Sequence, residues 1–242
     1  MRKFTLILLT VILLPAFPAL AQKGFYFGAG ATGISTWIQN QNNYGLPDFD
    51  YRLTTAVKGN LTAGYDFNEH LGVKMEVGYG CLGQKYGDTQ KDTLYSRRIN
   101  LNYLMIPLML KYTSSGDIAR FYMDAGFELA LLTSATQDYM KDGKQDTMHW
   151  YNSITKESFV VGEKDIKKRF NPLDVMFRLD LGSDITLTKN LFLNAGLTFS
   201  YGLMDINASD YHLKDYKENN YRYSHNFYCG LNVGINYKIP ED

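Results

Sequence analysis

Only two cysteines, Cys81 and Cys229, occur in 242 residues, so the disulfide framework that staples many small exported domains is excluded. The alternation described below puts both thiols on apolar faces of different strands. There they read as small apolar fillers, because a disulfide demands a narrow geometry. Net charge is missing as well. Lys plus Arg (25) balances Asp plus Glu (25), which leaves no field to draw nucleic acid or an anionic bilayer surface. There is no P-loop, no glycine-rich dinucleotide fingerprint and no Cys/His cluster with metal spacing, so no cofactor or metal is expected.

Beyond the N-terminal leader the chain also lacks any run of about 18 apolar residues, and with it any candidate membrane-spanning helix. The leader itself is plain. Arg2 and Lys3 precede the apolar run Phe4–Leu14, and Ala19-Leu20-Ala21 supplies a small-residue cleavage site. This is the pattern of a secretory signal peptide, residues 1–21, removed between Ala21 and Gln22. Gln22 is not a cysteine, so a lipid-modified N-terminus is not supported. Residues 22–242 then suit one β-barrel or one sandwich as a single domain.

What the chain has in abundance is aromatic residues and a period of two. Nineteen Tyr and fourteen Phe suit amphipathic rings placed at membrane–water boundaries. In Phe227–Ile239 (FYCGLNVGINYKI) every second residue is apolar, while the other face carries Tyr228, Gly230, Asn232, Gly234, Asn236 and Lys238. Strict alternation is the mark of a strand with one oily face. The polar face here is largely glycine and asparagine, which suits a crowded polar interior better than an open surface. The same pattern recurs in Phe25–Ala31, Val57–Phe67, Leu71–Cys81, Phe121–Leu131, Leu173–Leu187 and Leu191–Leu203. An eighth segment, Ile99–Tyr112, begins with apolar Ile99 and Leu101 but continues with Leu104, Ile106, Leu108 and Leu110. A β-bulge or a change of environment near Tyr103 is expected there, with Pro107 disturbing the ladder.

The connections alternate in length. Asn68–His70, Ser114–Asp117 and Thr188–Asn190 are tight, whereas Trp37–Tyr51, Gln84–Ser96, Thr133–Phe170 and Asn207–Tyr221 are long and polar. Short turns on one side and long loops on the other, with eight strands, describe an all-β, eight-stranded antiparallel up-and-down transmembrane β-barrel. Closure removes the sheet edges that hydrocarbon would leave without hydrogen-bond partners. Rings at strand ends read as two belts, with Phe25, Tyr65, Phe67, Tyr112, Phe121 and Tyr237 near the turns and Tyr79, Tyr201, Tyr223 and Phe227 toward the loops. The alternative fold is a soluble periplasmic, lipocalin-like carrier, which requires the oily faces to be buried.

Four stretches, NLNYLMIPLMLKY (Asn100–Tyr112), FYMDAGFELALL (Phe121–Leu132), Asp184–Ile206 and the closing GLNVGINYKI, resemble the PorT-like outer-membrane β-barrel family. The most specific piece is Tyr-Leu-x-Ile-Pro-Leu at Tyr103–Leu108, followed by a Lys-Tyr end. The resemblance spans the mature chain and implies an outer-membrane location, an eight-stranded barrel and an association with protein export. It carries over no catalytic residue. The chain runs Tyr237-Lys238-Ile239-Pro240-Glu241-Asp242 rather than closing on an aromatic, which weakens the expectation that the assembly machinery reads such a signal.

Phase places Lys58, Lys74, Glu76, Asp124, Glu128, Arg178, Asp180, Asp184 and Lys238 inside. An eight-stranded barrel has a bore that side chains fill, and both signs are present, so a charge-paired polar plug is preferred over a proton or ion path. The loops offer His149, Trp150, Tyr151, Tyr211 and His212 as surface contacts, and HWYNSITKESFVV (His149–Val161) has the composition of a hairpin above the membrane. The histidines match no metal or triad spacing. A non-catalytic scaffold, binding or secretion-associated role is expected, against a lipid-acting or proteolytic barrel enzyme. The partners expected are outer-membrane lipid, the assembly machinery, and a secretion-machine or extracellular protein at the loops, with no nucleic acid.

Overall fold

The computed structural model describes residues 23–40, 50–90, 92–151, 158–161, 163–212 and 221–240. The leader and its cleavage site, Ala21 and Gln22, lie outside the described residues. Eight long strands follow one another: β1 (Gly24–Gln39), β2 (Thr55–Asp66), β3 (Leu71–Gln90), β4 (Thr93–Thr113), β5 (Ala119–Lys141), β6 (Leu173–Thr186), β7 (Leu191–Gly202) and β8 (His225–Lys238). Each pairs antiparallel with its neighbour in sequence. β8 returns to β1, from Tyr26↔Lys238 to Gln39↔His225, and closes the ring. Two of the tight turns are built alike. The Asn68 side-chain oxygen accepts from the backbone N–H of His70 and Leu71 (both 2.8 Å), and the Thr188 hydroxyl does the same for Asn190 and Leu191, a side chain standing in for a backbone turn.

Exposure decides which way the oily faces point. Leu61, Leu108, Leu110 and Leu231 are 67%, 62%, 70% and 68% exposed, while Lys58, Glu128 and Arg178 are 1%, 0% and 1% exposed. Water would drive the reverse arrangement, since charged side chains are almost never fully buried and leucine is often buried. Hydrocarbon around the ring makes this pattern favourable. The soluble-carrier alternative needs those leucines inside, and they are not.

The aromatic belts fall where the alternation put them. On the turn side Phe25 and Tyr65 have ring centroids 4.7 Å apart, with Phe67 5.6 Å from Tyr65. On the loop side Trp37 lies 5.3 Å from Phe227, and the Tyr201 hydroxyl donates to the Gln39 amide oxygen at 3.0 Å. Between Phe227 and Tyr237 lie ten residue steps. At about 3.4 Å per step and a tilt near 45° these span roughly 25 Å, the height of a barrel's apolar band.

The loop side differs from expectation in an informative way. Gln84–Ser96 is not a loop: β3 and β4 stay paired from Gly78↔Met105 up to Gln90↔Thr93. β5 runs on to Lys141 and turns at Asp142-Gly143, both at positive φ (48° and 74°), a two-residue hairpin conformation, into the pair Lys144–Gln145. Crossing a bilayer takes about 9–11 residues. β5 has 23, so roughly half of it stands above the membrane with β3 and β4.

In that upper half the alternation changes sign. Inward positions become apolar, with Leu82, Ile99, Leu101, Ala135 and Tyr139 at 1% exposure or less, and outward ones become polar, as at Lys85, Arg98, Thr136 and Asp138. This resolves the double phase of Ile99–Tyr112. β4 keeps one phase throughout, and its surroundings change from lipid to water. The bulge sits on the partner strand, where Asn102 pairs with Ser134 and Tyr103 with Leu132, leaving Thr133 extra. The Thr133 hydroxyl donates to Asn102 O at 2.9 Å, and the inward face of β5 passes from Asp124, Glu128 and Leu132 to Ala135, Gln137 and Tyr139. Pro107 interrupts pairing as expected: the β3–β4 register breaks off between Met75↔Leu108 and Gly78↔Met105, where proline has no N–H to give. Both cysteines are free and half-buried.

Lys substituted at Leu108, midway between the belts, is expected to cost about 2–4 kcal/mol in denaturant unfolding from lipid vesicles. Lys at Thr136, on the same outward face but above the membrane, is expected to cost less than about 0.5 kcal/mol. Equal costs would mean that both positions meet the same solvent.

Candidate functional site

The lower half of the bore holds a ladder of charged side chains that cross it from wall to wall. At the turn-side mouth Lys238 meets Asp66 at 2.8 Å, and one level up Lys111 meets Asp184 at 2.7 Å. The register sets two carboxylates abreast, Asp180 on β6 opposite Asp124 on β5, a pairing that is destabilising alone. Lys74 from β3 resolves it, with Nζ against Asp124, 3.3 Å from Asp180 and 3.5 Å from Glu76. Arg178 completes the next level. Its guanidinium forks onto Asp180 (2.8 and 2.9 Å) and reaches Glu76 (2.8 Å) and Glu128 (3.4 Å). Above it Lys58 contacts Glu128 at 3.2 Å, and the Tyr228 hydroxyl donates to the same carboxylate at 2.8 Å.

All nine lumen residues expected from phase are inside, and the ladder joins them into one network except for the Lys111–Asp184 and Lys238–Asp66 pairs nearer the mouth. Phase alone also marks Lys111, between outward Leu110 and Tyr112. The apolar positions on either side of it mask that signal. Tyr26, Tyr122 and Tyr228 are masked as well, being aromatics on the polar phase. Tyr26 and Tyr122 fill space that glycines leave: a Cβ on Gly64 would stand 2.1 Å from the Tyr26 ring, and one on Gly196 2.6 Å from the Tyr122 hydroxyl. Lys111 Nζ lies over the Tyr26 and Phe192 rings at 4.9 and 5.2 Å, a favourable seat for a buried cation. The space left inside the ladder is about 20 Å³, enough for one water.

Above Arg178 apolar side chains dominate the bore, with a few buried polar groups, Gln84, Arg97, Gln137, Asp174 and Asn226, set among them. The expectation of a polar plug throughout holds only for the lower half. Ile34, Leu82, Ile99, Leu101, Tyr103, Met105 and Met176 form an apolar core closed from above by Ile166, Phe170 and Ile206 of the loops. Those loops are pinned to one another, by Asn171 N–H to Ile206 O (2.8 Å) and Ala208 N–H to Arg169 O (2.9 Å), and to the wall, by Ile166 N–H to Ala135 O (3.1 Å). At the opposite end the three tight turns ring an open bowl of about 460 Å³ whose charged lining includes Asp66, Glu69, Asp117, Arg120, Lys189 and Lys238.

His149, Trp150 and Tyr151 lie on the short strand Met148–Tyr151, which pairs with Ser158–Val161. The two strands of the hairpin expected there pair in the backbone, and their side chains and residues 152–157 lie outside the described residues. Tyr211 ends a short 3-10 turn, Ser209–Tyr211. His212 stacks on Tyr221 with centroids 4.1 Å apart, and its Nε2 lies 3.0 Å from Asp205 Oδ2. The Asp205 carboxylate also accepts from the Tyr221 hydroxyl (2.6 Å) and the backbone N–H groups of Ser224 (3.0 Å) and Asn207 (3.2 Å). The cluster therefore staples the β7–β8 loop to itself. Among the described residues no group of three His, Cys, Asp or Glu side chains has metal-holding geometry.

A family model described as "Outer membrane protein beta-barrel domain" matches residues 18–208. No curated protein matches the chain. Solved structures similar to it include Neisserial surface protein A (14% identity, 89% of this chain and 97% of that one, TM-score 0.43) and OprG from Pseudomonas aeruginosa (12%, 91% and 98%, TM-score 0.44). A third is the N-terminal β-barrel domain of OprF from the same organism (16%, 89% and 99%, TM-score 0.37). None of these likenesses bears on ligand or activity.

Replacing Arg178 with Leu leaves Lys74 as the one cation shared by Glu76, Asp124 and Asp180, so a loss of about 3–5 kcal/mol is expected in unfolding titrations. Lys238→Leu at the mouth, where water reaches the pair, is expected to cost about 1 kcal/mol or less. Similar costs would show that the ladder is hydrated throughout.

Proposed function

The chain belongs to the outer membrane protein β-barrel domain family, and from that premise we propose that it serves as a non-catalytic platform holding surface loops above the outer membrane. The observation that carries this reading is the double closure of the bore. A charged ladder fills the membrane half, and an apolar core sealed by the loops fills the outer half. A path for ions or solutes would have to break both. The pinned loops give the outer end a fixed surface, and loops on a rigid scaffold commonly carry binding function.

The partners we propose are the surrounding lipid, the assembly machinery and an envelope or extracellular protein at the outer loops. The Tyr103–Leu108 phrase supports a place near the PorT-like branch and, with it, a secretion-associated role. We further take residues 1–21 as a removed signal peptide and 22–242 as one domain.

The competing reading, a barrel hydrolase, draws on one observation, the contact between His212 and Asp205. The native chain in vesicles is expected to turn over neither phospholipid nor peptide substrates and to show no conductance steps in planar bilayers. Turnover abolished by His212→Ala, or steady unitary currents, would overturn the proposal.

Replacing residues 146–162 with a short Gly-Ser linker is expected to leave folded, heat-resistant gel mobility intact. Deleting Thr133–Phe170 entirely is expected to abolish it, because that span supplies Ala135, Tyr139, Ile166 and Phe170 to the core. A folded barrel after the larger deletion would show that the apolar core is dispensable.

A further inference from the structure

The bowl between the three tight turns carries charges that the fold does not use. Arg120, half-buried in its wall, lies opposite Asp184 in the β5–β6 register. That carboxylate is already held by Lys111 at 2.7 Å. Among the described residues Arg120 makes no ion pair or hydrogen bond, and its Nε is enclosed without an acceptor. The wall thus holds the guanidinium at the edge of the bowl and supplies it with no counter-charge, an unfavourable arrangement that an entering anion relieves. Each turn adds one further charge to the lining: Glu69 from Asn68–His70, Asp117 from Ser114–Asp117 and Lys189 from Thr188–Asn190. Among the described residues none of these three is in an ion pair. Lys238 and Asp66, on the same lining, satisfy each other at 2.8 Å. Two cations, Arg120 and Lys189, and two carboxylates, Glu69 and Asp117, are left over.

The balance of these charges selects the ligand. A phosphate dianion at Arg120 would bring excess negative charge toward Glu69 and Asp117, whereas a molecule with one carboxylate and one ammonium satisfies both signs. Size narrows the class further. The space, about 460 Å³, lies within the roughly 300–1,000 Å³ of small-ligand pockets. Phe192, which also borders the space inside the ladder, closes it from the bore. Such a bowl admits a short chain and no folded domain. The tight turns of an outer-membrane barrel face the periplasm, the compartment of the cell wall and its peptides. We propose that the bowl binds a short zwitterionic peptide, its carboxylate on Arg120 and Lys189 and its ammonium between Asp117 and Glu69. A planar guanidinium matches a carboxylate with two parallel hydrogen bonds. Free peptides and the peptide ends of the cell wall share this chemistry. The inference rests on the outer-membrane barrel and is independent of what the outer loops bind.

The test uses the full mature chain in lipid nanodiscs with trialanine as the probe, read by equilibrium dialysis. Saturable binding with a Kd of about 1 mM or tighter is expected. It is expected to weaken about tenfold or more in R120Q, and equally for trialanine with its carboxylate amidated or its amine acetylated. R120Q is expected to unfold at the native midpoint, since Arg120 has no partner to lose, and a lower midpoint would make it a structural residue and overturn the site. Asp117→Asn, in an exposed turn, is expected to weaken trialanine several-fold and to leave the acetylated peptide unchanged. No saturable binding, equal binding of the amidated peptide, or tighter binding of inorganic phosphate would overturn the proposal. Glu241 and Asp242 follow Lys238 closely in the sequence, so a chain ending at Pro240 is compared. Equal affinity is expected, and binding seen only in the shortened chain would assign the bowl to the protein's own carboxylates and overturn the proposal. Retention of the native chain, but not of R120Q, on purified cell-wall sacculi would support the site with the cell wall as its source. Trialanine binding without such retention would support it with free peptides as the source.

Discussion

Every backbone N–H and C=O that enters hydrocarbon must find its partner within the chain, since each one left unpaired costs several kcal/mol. A sheet satisfies that condition only when it has no edge. The pairing of β8 with β1 along their whole length is therefore the contact on which everything else depends. Once the ring is closed, side chains must alternate between a lipid face and a bore, and eight strands leave a bore too narrow for bulk water. Charged residues placed there must find their partners among the other side chains of the bore. Lys74 lying between Asp180 and Asp124, and Arg178 between Asp180 and Glu76, are the result.

The constraint is local to the membrane, and the chain shows where it stops. On β4 the outward residues Leu110, Leu108, Ile106 and Leu104 give way to Asn102, Asn100 and Arg98, while the inward ones pass from Lys111 to Met105, Leu101 and Ile99. The upper barrel is an ordinary water-soluble β-structure with its oil inside, continuous with an inverted one below. The two halves share strands and differ in solvent. The loops behave accordingly: they cover the upper core as loops cover any soluble core, and burial of Ile166, Phe170 and Ile206 holds them in place.

Much of this is written in the period of two. The eight strands, the ring, both aromatic belts and the nine inward charges follow from phase and from the alternation of short and long connections. The outer half was harder to read because its alternation has the opposite sign. Leu82, Ile99 and Leu101 occupy the phase that carries Glu76 and Lys111 lower on the same strands, so their oil looked like a fault in the pattern, and the polar run Gln84–Ser96 looked like a loop. Thr133 hid the matching change on β5, since one extra residue swaps the faces without any change in composition. The Asp205 staple depends on contacts between Asp205, His212, Tyr221 and Ser224 that no local pattern encodes.

The reversal of solvent along a single wall is the central claim, and site-directed spin labelling reads it directly. Nitroxides placed singly at the outward positions 96, 98, 100, 104, 106, 108 and 110 of the chain in lipid vesicles would be relaxed by oxygen, which concentrates in the bilayer, or by a water-soluble nickel chelate. The account predicts high oxygen and low nickel accessibility from 104 to 110 and the opposite from 96 to 100. Accessibility that is uniform along the whole strand, or high oxygen accessibility that continues from 104 through 96, would contradict it.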